Sequence, residues 1–219
     1  MAFAFPLNVA AFMDILRIEA ISFSAPEQVE INQTGGGEVL QADLAPMLWQ
    51  AEIKLGELIA SDAALTNARL DILRPAGRSF YLYDTRRPGP LLDLTGAILG
   101  ASTPSIHTLA ANNRDMRIQG LPVGYLLSVG DYLAFDYGTS IIRRALHKIV
   151  SSPAVVPSGG ISPTFEVSPM IRPGAAVGAS VTLIKAACKA LIVPNSINTG
   201  MTAKTITTGM SFRCMQTLR

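Results

Sequence analysis

Two histidines and two cysteines have the greatest potential for chemistry in this chain, and neither pair forms a catalytic or metal-binding pattern. His107 and His147 each lie alone among apolar residues. There, a strand histidine with a satisfied hydrogen bond is favoured over a general base or a metal ligand. Zinc needs three or four ligands, and no cluster of cysteine, histidine and carboxylate in the sequence supplies them. Cys188 and Cys214 are far apart and outside any CxxC spacing, so we predict two reduced, buried thiols.

Glycine clusters and a pair of aspartates could also support chemistry, but their surroundings favour structural roles. Neither residues 35–37 nor residues 159–160 precede a helical pattern that could hold phosphate, so both predict turns. Asp131 and Asp136 are near enough in sequence for the paired carboxylates of glycoside hydrolysis, with no support beyond proximity. No Gly-x-Ser-x-Gly elbow is present. We therefore predict a protein that is not an enzyme and has no catalytic, cofactor-binding or metal-binding residues.

The composition indicates a folded protein with few charged groups for its surface. The chain has 219 residues, of which 49% are hydrophobic. Only 16% are charged, against roughly 25% in ordinary soluble domains. One interpretation is that neighbouring subunits cover much of the surface. The alternative is a monomer with a surface rich in serine and threonine.

The charge distribution does not favour a nucleic-acid or membrane partner. The net charge is +2, and no basic run is longer than the pairs Arg86–Arg87 and Arg143–Arg144, which is too sparse to neutralise a phosphate backbone. The apolar stretch 1–16 is interrupted by Pro6 and Asp14. It is therefore too short for a membrane span, and it lacks the basic start of a secretory signal.

The first third of the chain predicts an α+β module. Alternation in residues 27–31 and 38–42 around the turn 34–37 predicts that residues 22–42 form a β-hairpin whose first strand is half-buried. Residues 48–55 predict a strand with Trp49 facing a core together with Ala51, Ile53 and Leu55.

A helix is predicted next, over residues 63–73, with Ser61–Asp62 as its N-cap and Pro75 after its end. Leu65, Arg69 and Ile72 lie on it at helical spacing, and a strand follows at 79–83.

The remainder predicts a second module of short strands. Residues 84–90 are a turn-rich joint, and tight turns separate several strands beyond it. This pattern is typical of a small barrel or sandwich. We predict domains at 1–90 plus 190–219 and at 91–189, with few contacts across the joint and with the strand-like tail 189–219 completing the first sheet. The predicted strands of the second module are 105–109, 116–119, 132–135, 141–150, 164–167 and 176–184.

Three ordered stretches are similar to the distal tail proteins of siphovirus-type bacteriophages and related gene-transfer particles. The first combines residues 37–38, LWQAEIKL (48–55), the helix and GRSFYLYD (77–84). The second combines VGDYLAF (129–135) with RALHKIV (144–150), and the third is VSPMIRP (167–173) followed by Gly178. Pro169 to Arg172 resembles the P-x-(L/I)-R strand end that closes the inserted barrel of that family.

This resemblance implies a β-sandwich-like ring domain with one helix and an inserted, OB-like small barrel. It also implies a structural virion protein, without cofactors, that forms a hexameric ring linking the tail tube to the hub or baseplate. Phage DNA would pass through the lumen without specific binding. The protein would be assembled in the host bacterial cytoplasm and located at the tail tip. The alternative function is a β-barrel binding module for host-surface glycan or for nucleic acid.

Overall fold

The short β-rich segments of the sequence form a mainly β fold, with 36% of residues in strands and 9% in helices. The computed structural model describes residues 3–151 and 155–219. Its strands are β1 Ile18–Ser24, β2 Val29–Gln33, β3 Val39–Asp43, β4 Gln50–Leu55, β5 Leu58–Ile59, β6 Phe80–Leu82, β7 Ser105–Leu109, β8 Asp115–Gln119, β9 Tyr132–Tyr137, β10 Arg143–Ile149, β11 Phe165–Ser168, β12 Val181–Thr182, β13 Cys188–Ile192, β14 Met201–Ala203, β15 Ile206–Thr208 and β16 Ser211–Gln216. Its helix α1 is Ala60–Leu73, and two 3-10 turns occupy Val9–Ala11 and Met13–Ile15.

A five-stranded antiparallel sheet in the order β1-β4-β16-β13-β6 forms the first half of the fold. The end of the chain supplies β13 and β16, so the tail completes the first sheet as predicted. The alternation seen in the sequence of β4 is also confirmed, because Ala51, Ile53 and Leu55 are buried on its inner face while Glu52 and Lys54 are exposed. The sheet curves into a half-barrel.

The second half is a nearly closed six-stranded barrel in the order β12-β9-β10-β11-β8-β7. Its two edge strands approach each other: the Ile106 amide donates to Ala179 O at 2.9 Å, and the Gly178 amide to Ile106 O at 2.8 Å. Buried side chains fill the interior. They include Ile106, Met116, Ile118, Leu133, Phe135, Ile149, Phe165 and Val167.

The sheet and the barrel pack directly against each other. Tyr132, Ala134 and Leu146, on the outer side of barrel strands, belong to the same hydrophobic core as the first sheet. Trp49 lies at this contact and is 3% exposed, which confirms its prediction as a core residue. Its ring stacks on Phe23 at 4.9 Å, and its indole N–H donates to Leu146 O at 2.7 Å.

The joint 84–90 makes many contacts, which contradicts the expectation of few. Asp84 is buried and binds both Arg86 Nε and Nη2, at 2.9 and 2.8 Å. The Tyr132 hydroxyl donates to the same carboxylate at 3.3 Å. Arg87 donates to Asp131 at 3.2 Å, in the turn that precedes β9 of the barrel. One ion pair to Asp131 and the hydrogen bond from Tyr132 to the buried Asp84 therefore fix the joint to the barrel.

The start and the buried face of the helix differ from the sequence-based prediction, and so does the length of one strand. Helix α1 begins at Ala60, three residues before the predicted start, and Ile59 rather than Ser61–Asp62 is its N-cap. Its buried face consists of Ala63, Thr66, Leu70 and Leu73, whereas Leu65 is 54% exposed. The strand predicted over 176–184 is limited to β12, because Gly178 has a φ of +85° and turns the chain.

Two hairpins lie outside these two sheets. β2 and β3 form an isolated two-stranded sheet, and β14 and β15 form a three-stranded sheet with β5. The predicted hairpin is confirmed for β2 and β3, but residues 22–24 belong to β1 of the five-stranded sheet. Its first strand is not half-buried, because residues 30–33 are exposed. No helix among the described residues is long and apolar enough to cross a membrane.

Candidate functional site

His147 lies inside the barrel and is held by a single hydrogen bond. It is on β10, 2% exposed and stacked on Phe135 at 5.3 Å. Its Nδ1 lies 2.7 Å from Pro169 O, so Nδ1 carries the proton and donates. Burial lowers the pKa of His147 to about 4, an effect that the hydrogen bond to Pro169 opposes. The ring is therefore neutral at pH 7. Its Nδ1 has the expected hydrogen bond, whereas its buried Nε2 has no partner among the described residues.

The other histidine and the two cysteines are also dispersed. His107 is on β7, and its buried Nδ1 has no hydrogen-bond partner among the described residues, which contradicts the expected satisfied bond. Cys188 and Cys214 are buried free thiols, as predicted. Burial raises the pKa of Cys188 to about 12 and also raises the pKa of Cys214, so both thiols are poor nucleophiles.

The two aspartates considered as a catalytic pair have separate environments. Asp131 is fully buried and accepts hydrogen bonds from the Ser128 and Leu91 amides, at 2.7 and 2.9 Å. Burial raises the pKa of Asp131 despite these bonds and the nearby Arg87. Asp136 is exposed and pairs with Arg144 at 3.2 Å. The first is a structural crosslink and the second a surface ion pair.

Metal-binding and phosphate-binding geometry is also missing from the described part of the chain. Residues 3–151 and 155–219 contain no group of three or more His, Cys, Asp or Glu side chains that could hold a metal ion. Residues 35–37 form the turn between β2 and β3, and residues 159–160 form another turn, as predicted. Neither glycine cluster precedes a helix, so neither presents the row of amides that binds phosphate.

The most unusual surface feature is the hairpin β2–β3 with its flanks, residues 25–47, which we call the arm. Residues 30–46 are exposed without interruption. Large apolar side chains are among them: Ile31 is 62% exposed and Leu44 67%. The arm contains four carboxylates and no lysine or arginine, which leaves 18 basic against 12 acidic residues in the rest of the chain. It is an acidic, partly apolar protrusion.

The arm has two different faces. Residues opposite each other in an antiparallel pair share a face, and the register places Val29 with Asp43 and Ile31 with Gln41. Val29, Gln41 and Asp43 also line a cleft of about 810 Å³ between the arm and the barrel. This face therefore looks toward the barrel.

The opposite wall of the cleft belongs to the barrel. It is formed by residues 113–114, Val150 and residues 166–173. Arg114 pairs with Glu166 at 3.6 Å, and Arg172 donates to Met47 O at 3.1 Å, which fixes the base of the arm. Met170 is 52% exposed on this wall.

The second protruding hairpin, Met201–Thr208, lies at the other end of β4. The Gln50 end of β4 pairs with Ser24, next to the arm. Its Leu55 end leads to β5, whose Ile59 pairs with Ile206. Lys204 is exposed in the tight turn between β14 and β15, with a φ of +56°. The molecule thus has protrusions at opposite ends of one central strand.

Sequence reasoning identified the arm as a hairpin but missed the cleft and the second hairpin as surfaces. The absence of any basic residue over 25–47 was a visible signal for the arm. No model of a known protein family and no curated protein sequence matches the chain. The assignment of function therefore depends on the residues and their geometry.

Proposed function

We propose that the protein is a structural subunit of a ring, the distal tail ring that joins the tail tube to the hub or baseplate of a long-tailed phage. The observation that carries this proposal is the exposed arm. Residues 30–46 are exposed on both faces of a two-stranded sheet, and such a hairpin is only marginally stable in water. A neighbouring subunit that covers the arm would remove this instability.

The unpaired strand edges of the arm support the same conclusion. β2 and β3 pair only with each other among the described residues, so each has one edge of free amides and carbonyls, which is a template for pairing with another chain. Exposed Ile31, Val39 and Leu40 add apolar surface to these edges. The small share of charged residues in the chain is a further indication of a covered surface.

A ring follows if each copy contacts the next through two different surfaces. Head-to-tail contacts are heterologous and close into a ring when the rotation between copies closes. The arm and the second hairpin lie at opposite ends of β4, as a head-to-tail contact requires. The resemblance in sequence suggests six copies, with the tail tube protein above the ring and the hub below it.

The finer architecture of the proposal also comes from the resemblance. We take the five-stranded sheet with α1 as a sandwich-like ring domain, residues 1–90 plus 190–219, and residues 91–189 as an inserted, OB-like barrel on the outside of the ring. Both boundaries lie close to the change from one hydrophobic core to the other.

The outer face of the five-stranded sheet is our candidate for the wall of the lumen. Ala20, Ser22 and Ser24 give it small, uncharged side chains along β1. Its charged groups include Glu52 and Lys54 on β4 and Arg213 on β16, which lies opposite Glu52 in the register. We expect the whole lumen to be neutral to acidic, because a passing genome must slide without binding. The protein has no catalytic role in this scheme.

The experiment that tests the proposal replaces residues 30–42 with a short Gly-Ser turn. Because these residues contribute almost nothing to either core, the variant should keep its melting temperature, and its circular dichroism spectrum should lose only the strand signal of the hairpin itself. It should fail to form rings in solution and fail to enter tails, as seen by electron microscopy. A matched control changes Ile31 alone to Thr, a β-branched residue with high strand propensity, and should weaken assembly only partly. Normal rings from the replacement variant would contradict the proposal.

A further inference from the structure

The cleft and the second hairpin are complementary and cannot meet within one molecule. β4 separates them and has six residues, a length of roughly 20 Å. We propose that the second hairpin of one copy, Met201–Thr208, binds in the cleft between the arm and the barrel of the next copy. Lys204 then lies against Asp43 and Glu27. This inference rests on the proposed ring and identifies the contact that joins its subunits.

The charges of the two surfaces favour this pairing. Glu27 and Asp43 line the cleft, are exposed and take part in no ion pair among the described residues. The other charged groups on the cleft are engaged, since Arg114 pairs with Glu166 and Arg172 donates to Met47 O. Lys204 is the one charged residue between residues 199 and 209. An incoming lysine therefore finds two carboxylates without partners.

The apolar surfaces also correspond. Met201 is the most exposed large apolar residue of the described chain, at 77%, and Ile206 is 44% exposed beside Ile59 at 54%. The cleft offers Leu44 and Met170, at 67% and 52%. Both surfaces expose hydrophobic side chains beside a few polar ones, as protein–protein contacts do.

The shape of the hairpin suits a cleft that is open to one side. A two-residue turn at Lys204–Thr205 gives it a narrow tip, because Ala203 pairs directly with Ile206. The turn itself is held in place, because the Ala60 amide at the start of α1 donates to Thr205 O at 2.9 Å. Thr202 and Thr207 share a hydrogen bond of 2.9 Å across the strands. The hairpin is therefore ordered before it binds, which lowers the entropic cost of the contact.

Thiol trapping tests the contact on the full chain. The double variant D43C/K204C is treated with a short bis-maleimide at high protein concentration. The native Cys188 and Cys214 are buried and do not react. We expect a ladder of covalent oligomers on denaturing gels, with peptides containing residues 43 and 204 linked between chains in mass spectrometry. D43C and K204C alone should give no product larger than a dimer. A double variant without the 43–204 link overturns the inference.

A charge exchange gives an independent test and separates the two proposals. K204E and D43K should each weaken self-association by about fivefold or more in sedimentation velocity, since each replaces an attraction by a repulsion. An equal mixture of the K204E and D43K variants should recover the self-association of wild type, because every interface in an alternating ring then joins residues 43 and 204 of opposite charge. If wild-type rings form while K204E and D43K behave like wild type, the inference fails and the ring remains. A chain present as one copy outside the tail axis contradicts the ring itself.

Discussion

Replacement of Trp49 by alanine should strongly destabilise the fold, because this residue joins the first sheet to the barrel. Its indole is 3% exposed, stacks on Phe23 and lies edge-on to Tyr132 at 5.6 Å. Removal of a buried tryptophan ring costs about 3–5 kcal/mol, including the cavity that remains. Loss of the hydrogen bond to Leu146 O adds about 1 kcal/mol. For a chain of this size, the melting temperature should fall by roughly 10 °C or more.

The assay is urea unfolding followed by circular dichroism, with Trp49→Phe as the matched control. Phenylalanine keeps an aromatic ring against Phe23 but has no N–H for Leu146 O, so we expect a loss of about 1–2 kcal/mol. In wild type, the emission of this single tryptophan reports the same transition. An alanine variant with unchanged stability and one lost binding activity would refute the reasoning and make Trp49 a ligand platform.

Three further predictions concern the two histidines, the aspartates of the two ion pairs, and the proteolytic sensitivity of the arm. The pKa of His147 is lowered to about 4, against 6.5 for an unfolded histidine. The free energy of unfolding should therefore be independent of this group above pH 6.5 and should fall by roughly 3 kcal/mol as the pH drops to 4. His147→Gln should remove this loss of stability at low pH and still allow assembly, whereas His107→Gln should leave the pH dependence unchanged. Stoichiometric zinc or iron in the purified protein would contradict a structural role for the two histidines. Asp131→Ala should cost about 3–5 kcal/mol in chemical denaturation, because Arg87 loses its buried partner. Asp136→Ala, at an exposed pair, should cost less than about 1 kcal/mol, and equal losses would refute the difference in burial. In limited proteolysis, a glutamate-specific protease should cut the arm before trypsin cuts the joint 84–90, and early cleavage at the joint would show that its ion pairs do not restrain it.

Much of the fold is visible in the sequence where burial imposes a period of two. β4 shows the alternation clearly because one face packs on the core and the other meets solvent. Strands β7, β8 and β10 were predicted from short β-rich segments between turn residues, and their ends differ from the prediction by two residues at most. The predicted return of the tail to the first sheet followed from its strand pattern together with the interpretation of the second module as an insertion.

The remaining errors have local physical causes. β1 was largely missed because its register shifts between Ile18 and Ala20, which interrupts the alternation. The buried roles of Asp84 and Asp131 depend on hydrogen bonds across the joint, which no local pattern records. The arm has the alternation of a half-buried strand, yet it is exposed in one chain. We propose that its missing partner is another subunit.

Electron cryomicroscopy of tails that contain this chain tests the central claim most directly. Our account predicts six copies in a closed ring around the tail axis, immediately below the tube. The arm of each copy should contact the next copy, with the barrels outside and a neutral to acidic lumen. Density for this chain as a single copy, or as a fibre away from the axis, would contradict the account.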